Sequence, residues 1–388
     1  MSELLRFRVI IPLIIPFLFL SCHNSSKESS NLPIIHPLLT SAEIKDFTNY
    51  VTSIRYLKLK SPNEPKALSV QEIQLSKDGK LLIAASNGLF LFDETGNQLI
   101  KYGAKGKGPG EYLNRRSFCL SSNEESVIIL DTYNTLYFYN YSSGKFEKQV
   151  TPQWKEKSTS ADDICPGEDG GFFLYRPQSF NPNDFTNDFY CLTEFDMKGK
   201  LKNEFLKRID FNFNFPVFFK TTQGYLIRPT EGTDIVYRIT EGRIQKDFRI
   251  SFDKKAVPLK HIFSYGADAW KHLEDYLQSD YFKLFMTILE TDRQLYIYCA
   301  GPQARAEYFL LSKDGLSGIR WSESELEEPL ILLCGSNNYF LTTINETKAS
   351  MPGENSIGPL KKYIIDHLPE NIDPETDEVL VFLEFSIQ

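Results

Sequence analysis

The chain has 388 residues, enough for one large domain or two ordinary ones with a substantial core. Its 30 Phe, 20 Tyr and 20 Pro, together with many β-branched residues, favour an all-β protein over a helical one. The formal net charge of −8 argues against nucleic acid as a general partner, because phosphate contacts need a basic surface.

The N-terminus has the features of an export signal. Two arginines precede the apolar stretch Val9–Leu20, which is too short for a stable membrane-spanning helix but suits a signal-peptide core. A serine and then Cys22 follow, which resembles a bacterial lipobox, where the cysteine is acylated. The alternative is an ordinary secretory signal with a cysteine nearby. We predict a lipoprotein signal peptide over 1–21, a polar tether over 22–48 and a folded domain over 49–388.

This interpretation places the protein in the cell envelope. A lipid on Cys22 would anchor it to a bacterial membrane, for which we expect the outer membrane, on the periplasmic or the surface side. The membrane is then a partner through the anchor alone.

Six tight turns, each in front of a short apolar strand, recur along the rest of the chain. Their spacing of roughly 45 to 68 residues is typical of propeller blades. The pattern predicts an all-β fold, a six-bladed β-propeller of four-stranded blades. The turns lie at 77–80, 122–125, 168–171, 222–224, 291–293 and 336–338.

The predicted strands follow in chain order. The first blade has four, and the second, fourth and fifth repeat this count, whereas only three are visible in the third. They are 70–76, 81–86, 89–92 and 98–102; 117–121, 127–130, 136–139 and 146–150; 172–175, 190–195 and 201–205; 216–220, 225–228, 235–239 and 244–250; 281–290, 295–299, 308–312 and 318–321.

The sixth blade runs short, with strands at 330–334, 339–344 and 379–385. The strand-like segment Val51–Leu59 has no blade of its own, so we predict that it closes the ring as the outer strand of the sixth blade. Two short helical insertions, at 267–278 and 357–368, interrupt the series because their apolar residues recur at helical spacing.

The loop after the first blade contains Gly106-Lys107-Gly108-Pro109-Gly110-Glu111-Tyr112. It resembles the Gly-x-Gly-Pro-Gly-Glu-Tyr signature of a family of bacterial lipoproteins described as six-bladed β-propellers, related to the NHL-repeat propellers. The resemblance covers roughly residues 50–150 and implies a fold and an envelope location, without a mechanism. The glycines and lysines could cradle an anion. We favour the alternative that the glycines let the chain cross tightly between blades, with Tyr112 packed below.

The loops also indicate where a site would lie. In a four-stranded blade, the turns between strands one and two and between three and four share one face, which we call the turn face. The remaining turns and the crossings between blades share the opposite face, the crossing face. The signature loop and segments 176–187, 251–280 and 345–378 all fall on the crossing face, so we predict the functional surface there. The candidate binding residues are Glu111, Tyr112, Arg116, Asp131, Tyr133, Arg176, Arg228 and Asp234.

The sequence contains few motifs that would indicate a chemical activity. The five cysteines after Cys22 lack C-x-x-C spacing, which argues against zinc, and Cys119, Cys299 and Cys334 lie in apolar strands, where we expect core thiols. No nucleophile motif, metal site, cofactor motif or catalytic residue is assigned, so an enzyme is the less favoured interpretation. The sequence favours a binding or scaffold module for a protein, a peptide or a glycan. The alternative is a propeller hydrolase or lyase with an acidic divalent-metal site at the channel mouth.

Overall fold

A computed structural model of the chain describes the fold as six four-stranded antiparallel sheets. Each sheet is one blade, and in the first five blades the strands pair in the order in which they occur. The prediction of a six-bladed β-propeller is therefore confirmed. The described residues are 32–46, 48–61, 68–154, 160–176, 190–207, 216–229, 233–258, 273–322, 331–344, 359–374 and 376–387.

The strands and helices are numbered here in chain order. The elements before the first blade are β1 (Ile34–Ile35), α1 (Pro37–Thr40), β2 (Ser41–Glu43) and β3 (Val51–Lys58). The first three blades and the loop between the first two are β4 (Val70–Leu75), β5 (Leu81–Ala85), β6 (Gly88–Phe92), β7 (Gln98–Tyr102), β8 (Ala104–Lys105), β9 (Glu111–Tyr112), β10 (Arg115–Leu120), β11 (Ser126–Asp131), β12 (Leu136–Asn140), β13 (Phe146–Val150), β14 (Asp163–Pro166), β15 (Phe172–Tyr175), β16 (Tyr190–Phe195) and β17 (Leu201–Lys207).

The second half of the ring continues the same pattern. Its strands and helices are β18 (Phe218–Thr221), β19 (Gly224–Ile227), β20 (Ile235–Thr240), β21 (Arg243–Ile250), α2 (Leu273–Leu277), β22 (Lys283–Glu290), β23 (Gln294–Ala300), β24 (Ala306–Ser312), β25 (Gly318–Ser322), β26 (Cys334–Ser336), β27 (Tyr339–Thr343), α3 (Pro359–Asp366) and β28 (Val379–Phe385). Single 3₁₀ turns lie at Thr48–Tyr50, Glu168–Gly170, Asp253–Lys255 and Pro302–Ala304.

The core lies between the blades, which explains the apolar runs of the middle strands. Every residue of β5 and β6 is buried, because both faces of a blade pack against its neighbours. The outer strand β7 instead alternates between partly buried and exposed side chains before the buried Tyr102, as expected where one face meets water. The six predicted tight turns all lie between the first and second strands of their blades.

Ring closure occurs as predicted. In the sixth blade the order is β26-β27-β28-β3, so the N-terminal strand takes the outer position. It pairs antiparallel with the last strand, from Val379 opposite Lys58 to Phe385 opposite Val51. The Arg55 guanidinium of β3 stacks 3.8 Å from the ring centre of Phe382 in β28. Both strands thereby lose an edge that would otherwise be open to pairing with other chains.

The folded body begins before residue 49, in the second half of the predicted tether. Strand β1 pairs parallel with β21 of the fourth blade, and β2 pairs parallel with β25 of the fifth. Ile35 and Ile44 are buried by this arrangement. The physical reason is that this segment is apolar, and it covers the open edges of two outer strands.

Two smaller differences concern the third blade and the helices. Strand β14, which the sequence did not reveal, is the inner strand of the third blade. Helices α2 and α3 lie within the two predicted insertions, whose residues 267–272 and 357–358 fall outside the described ranges. The four-residue α1 was not predicted. Within the described ranges, no helix is long and apolar enough to span a bilayer.

Candidate functional site

The crossing face carries the four long segments expected there. The signature loop joins β7 to β10, and the other three join β15 to β16, β21 to β22 and β27 to β28. By strand direction all four therefore begin and end on one face. Residues 177–189, 259–272 and 345–358 of these segments lie outside the described ranges.

The signature loop is filled by its own glutamate. The Glu111 carboxylate accepts a hydrogen bond from the Gly108 N–H at 2.8 Å. A Cβ atom on Gly106 would lie 1.9 Å from the same carboxylate oxygen, so the glycine leaves room for Glu111. Tyr112 is buried, and its hydroxyl donates to the Tyr102 carbonyl at 3.4 Å. This geometry supports the interpretation of a tight crossing over that of an anion cradle.

Arg116, Asp131 and Tyr133 lie on the second blade. Arg116, at the start of β10, forms an ion pair with Asp162, which directly precedes the first strand of the third blade. The buried Asp131 carboxylate accepts hydrogen bonds from the backbone N–H groups of Tyr133 at 2.8 Å and Thr135 at 2.9 Å. Asp131 thus builds the turn from β11 to β12. The Tyr133 side chain is 68% exposed and is available to a partner.

Arg176 and Arg228 occupy equivalent places, directly after the second strands of the third and fourth blades, and both are buried. The Arg176 guanidinium stacks 4.8 Å from the ring centre of Trp154 and lies 3.5 Å from the Glu204 carboxylate. Arg228 Nε donates to the Pro216 carbonyl at 3.0 Å. Both side chains therefore hold neighbouring strands together.

Asp234 pairs with Arg249, whose Nε donates to its carboxylate at 2.9 Å, and not with Arg228. Of the eight candidate residues, Tyr133 alone presents a mostly exposed side chain, whereas the others contact their own chain. The structure does not gather the eight into one cluster. They are spread over the crossing-face side of the first four blades.

A chain of hydrogen bonds bridges the channel toward the turn-face ends of β4 and β19. The Tyr225 hydroxyl of the fourth blade donates to Gln74 Oε1 of the first blade at 3.1 Å. Gln74 Nε2 in turn donates to the Phe118 carbonyl at 3.0 Å and to Glu72 Oε1 at 3.1 Å. The first and fourth blades are opposite one another in a ring of six. This chain of hydrogen bonds therefore crosses between facing walls of the channel.

A small inner cavity of about 120 Å³ lies on the crossing-face side of this bridge. Its polar wall includes Gln71 and Glu72. Burial raises the pKa of Glu72 to about 8, and repulsion from Asp163 adds to the effect. Glu72 is therefore mostly protonated at neutral pH.

Asp163 is the second carboxyl group of the channel wall, and four donors satisfy it. Oδ1 accepts from Ser117 Oγ at 2.6 Å and from the Ile164 N–H at 2.8 Å. Oδ2 accepts from the N–H groups of Val217 at 2.7 Å and Phe218 at 3.0 Å. It joins the inner strands of the second, third and fourth blades. Among the described residues, no three His, Cys, Asp or Glu side chains are grouped so as to hold a metal ion.

The turn face holds a larger recess at the channel mouth, with a volume of about 280 Å³. The first turns of the first, fourth and sixth blades surround it. Lys220 Nζ lies 2.9 Å from Glu124 Oε1, and Glu124 Oε2 also accepts from the Lys77 N–H at 2.7 Å. The lining residues are Leu75, Ser76, Lys77, Gly79, Lys220, Thr221, Thr222, Cys334, Gly335, Ser336 and Asn337.

A groove of about 190 Å³ continues this recess outward between the first and sixth blades. Leucine and aromatic side chains dominate its walls, and Arg55 and Glu94 are its charged residues. The recess and the groove together are called the turn-face trough below. Both parts share Leu75, Gly79, Ser336 and Asn337.

The sequence did not reveal the trough. The residues of its recess come from three short turns that lie more than 100 positions apart in the sequence, and none of these turns has a motif. A signal was nonetheless present, because the first turns of all blades in a propeller converge around the axis.

The cysteines behave as core residues. Cys119, Cys299 and Cys334 are buried in strands, which confirms the prediction made for them. Burial raises the pKa of Cys334 to about 12, so its thiol is neutral. The five cysteines within the described ranges are all buried, and none of them forms a disulfide.

Comparisons with known proteins give a family and a fold. A family model described as "Domain of unknown function (DUF4934)" matches residues 33–384, and no curated protein matches the chain. A solved structure of a candidate exported protein from Bacteroides fragilis is similar, with a TM-score of 0.67 and 18% identity over 91% of this chain and 99% of that one. A member of the DUF4221 family from Bacteroides vulgatus has a TM-score of 0.51 and 11% identity over 87% and 97%. At these identities the likeness shows the fold alone.

Proposed function

The chain belongs to the DUF4934 family, and on this premise we propose that it is an exported β-propeller that binds a protein, peptide or glycan at the turn-face trough. The observation that carries the proposal is the trough itself. It joins a polar recess of about 280 Å³ to an apolar groove of about 190 Å³. Ligand sites are commonly concave, mostly apolar and equipped with a few polar groups.

The side chains that cross the channel beneath the trough favour binding from the turn face. The hydrogen bond between Tyr225 and Gln74 links opposite blades, and Lys220 and Cys334 line both the recess and the inner cavity. A ligand in the trough would thus rest on a floor of fixed side chains. Such a floor lowers the entropy lost on binding, because little has to be ordered.

The second part of the proposal is the location. Cys22 would be acylated and would hold the propeller at a bacterial membrane, in our proposal the outer membrane, on its periplasmic or surface side. The signal-like sequence before Cys22 supports this, as does the name of the Bacteroides fragilis relative, a candidate exported protein.

The anchor can be tested with Cys22→Ser. Cells grown with a radioactive fatty acid should label the wild-type chain but not the variant, and the variant should leave the membrane fraction. Cys119→Ser is the matched control, because Cys119 is buried in the core and should not alter labelling. Undiminished labelling of Cys22→Ser would rule out this cysteine as the lipid site.

The binding site can be tested with one variant on each face. Thr222 is exposed and lines the recess, so Thr222→Trp should fill the recess without disturbing the core. Tyr133→Ala removes the exposed aromatic side chain of the crossing face. Peptide arrays, glycan arrays and envelope extracts would be screened with the wild type and both variants. We expect ligands that survive Tyr133→Ala and are lost with Thr222→Trp. The reverse pattern would move the site to the crossing face.

A further inference from the structure

We propose that the turn-face trough binds the C-terminal segment of a peptide. The free carboxylate would lie at the channel mouth beside Lys77, and an apolar side chain near the peptide end would occupy the groove between the first and sixth blades. This inference rests on the proposed function and specifies the ligand class for the same site.

The recess contains a lysine whose ammonium is not held by a carboxylate of the described residues. The carboxylates of Glu124 and Asp292 adjoin the recess. Glu124 is bound by Lys220 Nζ at 2.9 Å and the Lys77 N–H at 2.7 Å, and Asp292 accepts from Thr222 Oγ1 at 3.4 Å. The Lys77 side chain is exposed, and its ammonium donates to the Ser122 carbonyl at 3.3 Å. Among the described residues it makes no ion pair. The Lys77 ammonium is therefore available to a ligand carboxylate at the mouth, in a chain with a net charge of −8.

The groove supplies the apolar half of the site. Leu57, Leu81 and Leu341 form its walls and are buried. An aliphatic or aromatic side chain that enters between these leucines would lose its contact with water, which favours binding. The recess and the groove together fall within the size range of small-ligand pockets, about 300 to 1,000 Å³. A few peptide residues match that size.

Polar groups lie where the two halves meet. Ser336 and Asn337 line both the recess and the groove. The Asn337 side chain is exposed, and its residue has a φ of 47°, a conformation that asparagine tolerates better than most residues. A peptide running from the recess into the groove would pass its backbone amides by these side chains, which can donate and accept hydrogen bonds.

The aromatic residues of the groove favour a peptide over a sugar. Sugar rings are usually held on open aromatic faces. The Arg55 guanidinium lies 3.8 Å from the ring centre of Phe382 and 5.7 Å from that of Tyr339, so it occupies one face of Phe382 and lies beside Tyr339. Capture of a terminal carboxylate together with a neighbouring apolar side chain is a known mode of peptide recognition.

The test uses the full chain in a nonionic detergent and short peptides with a fluorophore at the N-terminus. Peptides ending in Leu-Phe with a free carboxylate, the same peptides with a C-terminal amide, and peptides ending in Ser-Asn would be titrated by fluorescence anisotropy. Empty micelles provide the blank. We expect the free acid ending in Leu-Phe to bind at least tenfold more tightly than either of the other two peptides.

A pair of lysine variants examines the charge. Lys77→Met should weaken binding of the acid at least tenfold and leave the amide unchanged, because the lost interaction needs the carboxylate. Lys80→Met is the matched control, since Lys80 lies on the same turn, pairs with Asp78 and does not line the trough. Equal binding of acid and amide, or equal effects of the two variants, would overturn the proposal.

Two further outcomes are informative. Decanoic acid that competes as well as the peptide would show that a fatty acid is the ligand and would overturn the peptide assignment. If no peptide binds while Thr222→Trp still abolishes another captured ligand, this inference fails and the proposed binding function stands. If Thr222→Trp also has no effect on any ligand, the proposed trough site fails with it.

Discussion

Glu72→Gln changes a carboxyl group of the inner channel into an amide of nearly the same shape. The pKa of Glu72 is raised from 4.5 to about 8, first by burial and then by repulsion from Asp163. The folded state therefore keeps a proton on Glu72 that the unfolded chain releases above its ordinary pKa. Glutamine is uncharged at every pH, and its Oε1 can still accept the hydrogen bond from Gln74.

The sign and the size of the effect follow from this difference. Between pH 4.5 and 8 the folded chain binds more protons at this site than the unfolded chain, so the free energy of unfolding falls as the pH rises. Each pKa unit corresponds to about 1.4 kcal/mol, which sets an upper limit of about 5 kcal/mol over the window. Relaxation around the cavity lowers this limit. We expect the free energy of unfolding of the wild type to fall by about 2 to 4 kcal/mol relative to that of the variant between pH 4.5 and 8. Below pH 4.5 the wild type and the variant should have similar stabilities.

The assay is urea unfolding followed by tryptophan fluorescence at several pH values from 4.5 to 8.5. The informative quantity is the variant minus the wild type, because other carboxyl groups cancel in that difference. Glu370→Gln is the matched control, since Glu370 is exposed and should give a constant difference. Parallel curves for Glu72→Gln and the wild type would show that Glu72 is not protonated in the folded channel, and the account of the channel electrostatics would be incorrect.

Three other changes test separate parts of the fold. Arg238→Leu removes the guanidinium that lies 2.6 and 3.2 Å from the carboxylate oxygens of the buried Glu290 and leaves that carboxylate with Lys313 Nζ at 3.3 Å, so it should lower the free energy of unfolding by about 3 kcal/mol. Arg243 lies on the exposed surface, so Arg243→Leu should have no measurable effect on the free energy of unfolding. Equal losses for Arg238→Leu and Arg243→Leu would contradict this expectation. Gly106→Ala should destabilise the chain by about 1 to 3 kcal/mol, because the added methyl group displaces the Glu111 carboxylate. The loss should be smaller in a background of Glu111→Ala, where there is no carboxylate to displace. Additive losses for the two substitutions would exclude the tight-crossing role. Tyr225→Phe should lower the free energy of unfolding by about 1 kcal/mol in the same assay and leave the circular dichroism spectrum of the propeller unchanged. A larger loss of stability would mean that the hydrogen bond between Tyr225 and Gln74 holds the ring together.

The parts of the fold that could be predicted have strong local patterns. Strands such as Leu81–Ala85 are continuous apolar runs between turns, and the unpaired edge of the last blade required a partner such as Val51–Lys58. Strand β14 was missed because Asp163-Ile164-Cys165-Pro166 has neither an apolar run nor alternation. Its carboxylate is stabilised by donors from the second and fourth blades, which a single sequence does not place nearby.

The candidate site was harder to predict than the fold for a related reason. Length drew attention to the crossing-face loops, and charged residues such as Arg176 and Arg228 were natural candidates. In the structure both are buried among neighbouring strands, and their charges stabilise the blades. Lys77 and Asn337 belong to short turns, and they line the same recess only because the ring brings distant blades together.

The route of the N-terminal segment sets the order in which the protein can be completed. Strands β1, β2 and β3 pair with β21, β25 and β28, so these N-terminal strands wait for partners that are made more than 200 positions later in the chain. Such distant pairings form slowly, since a long loop must close first. A nascent chain that stops before Val379 has no strand to receive β3, so the sixth blade cannot be completed until Val379–Phe385 has been made.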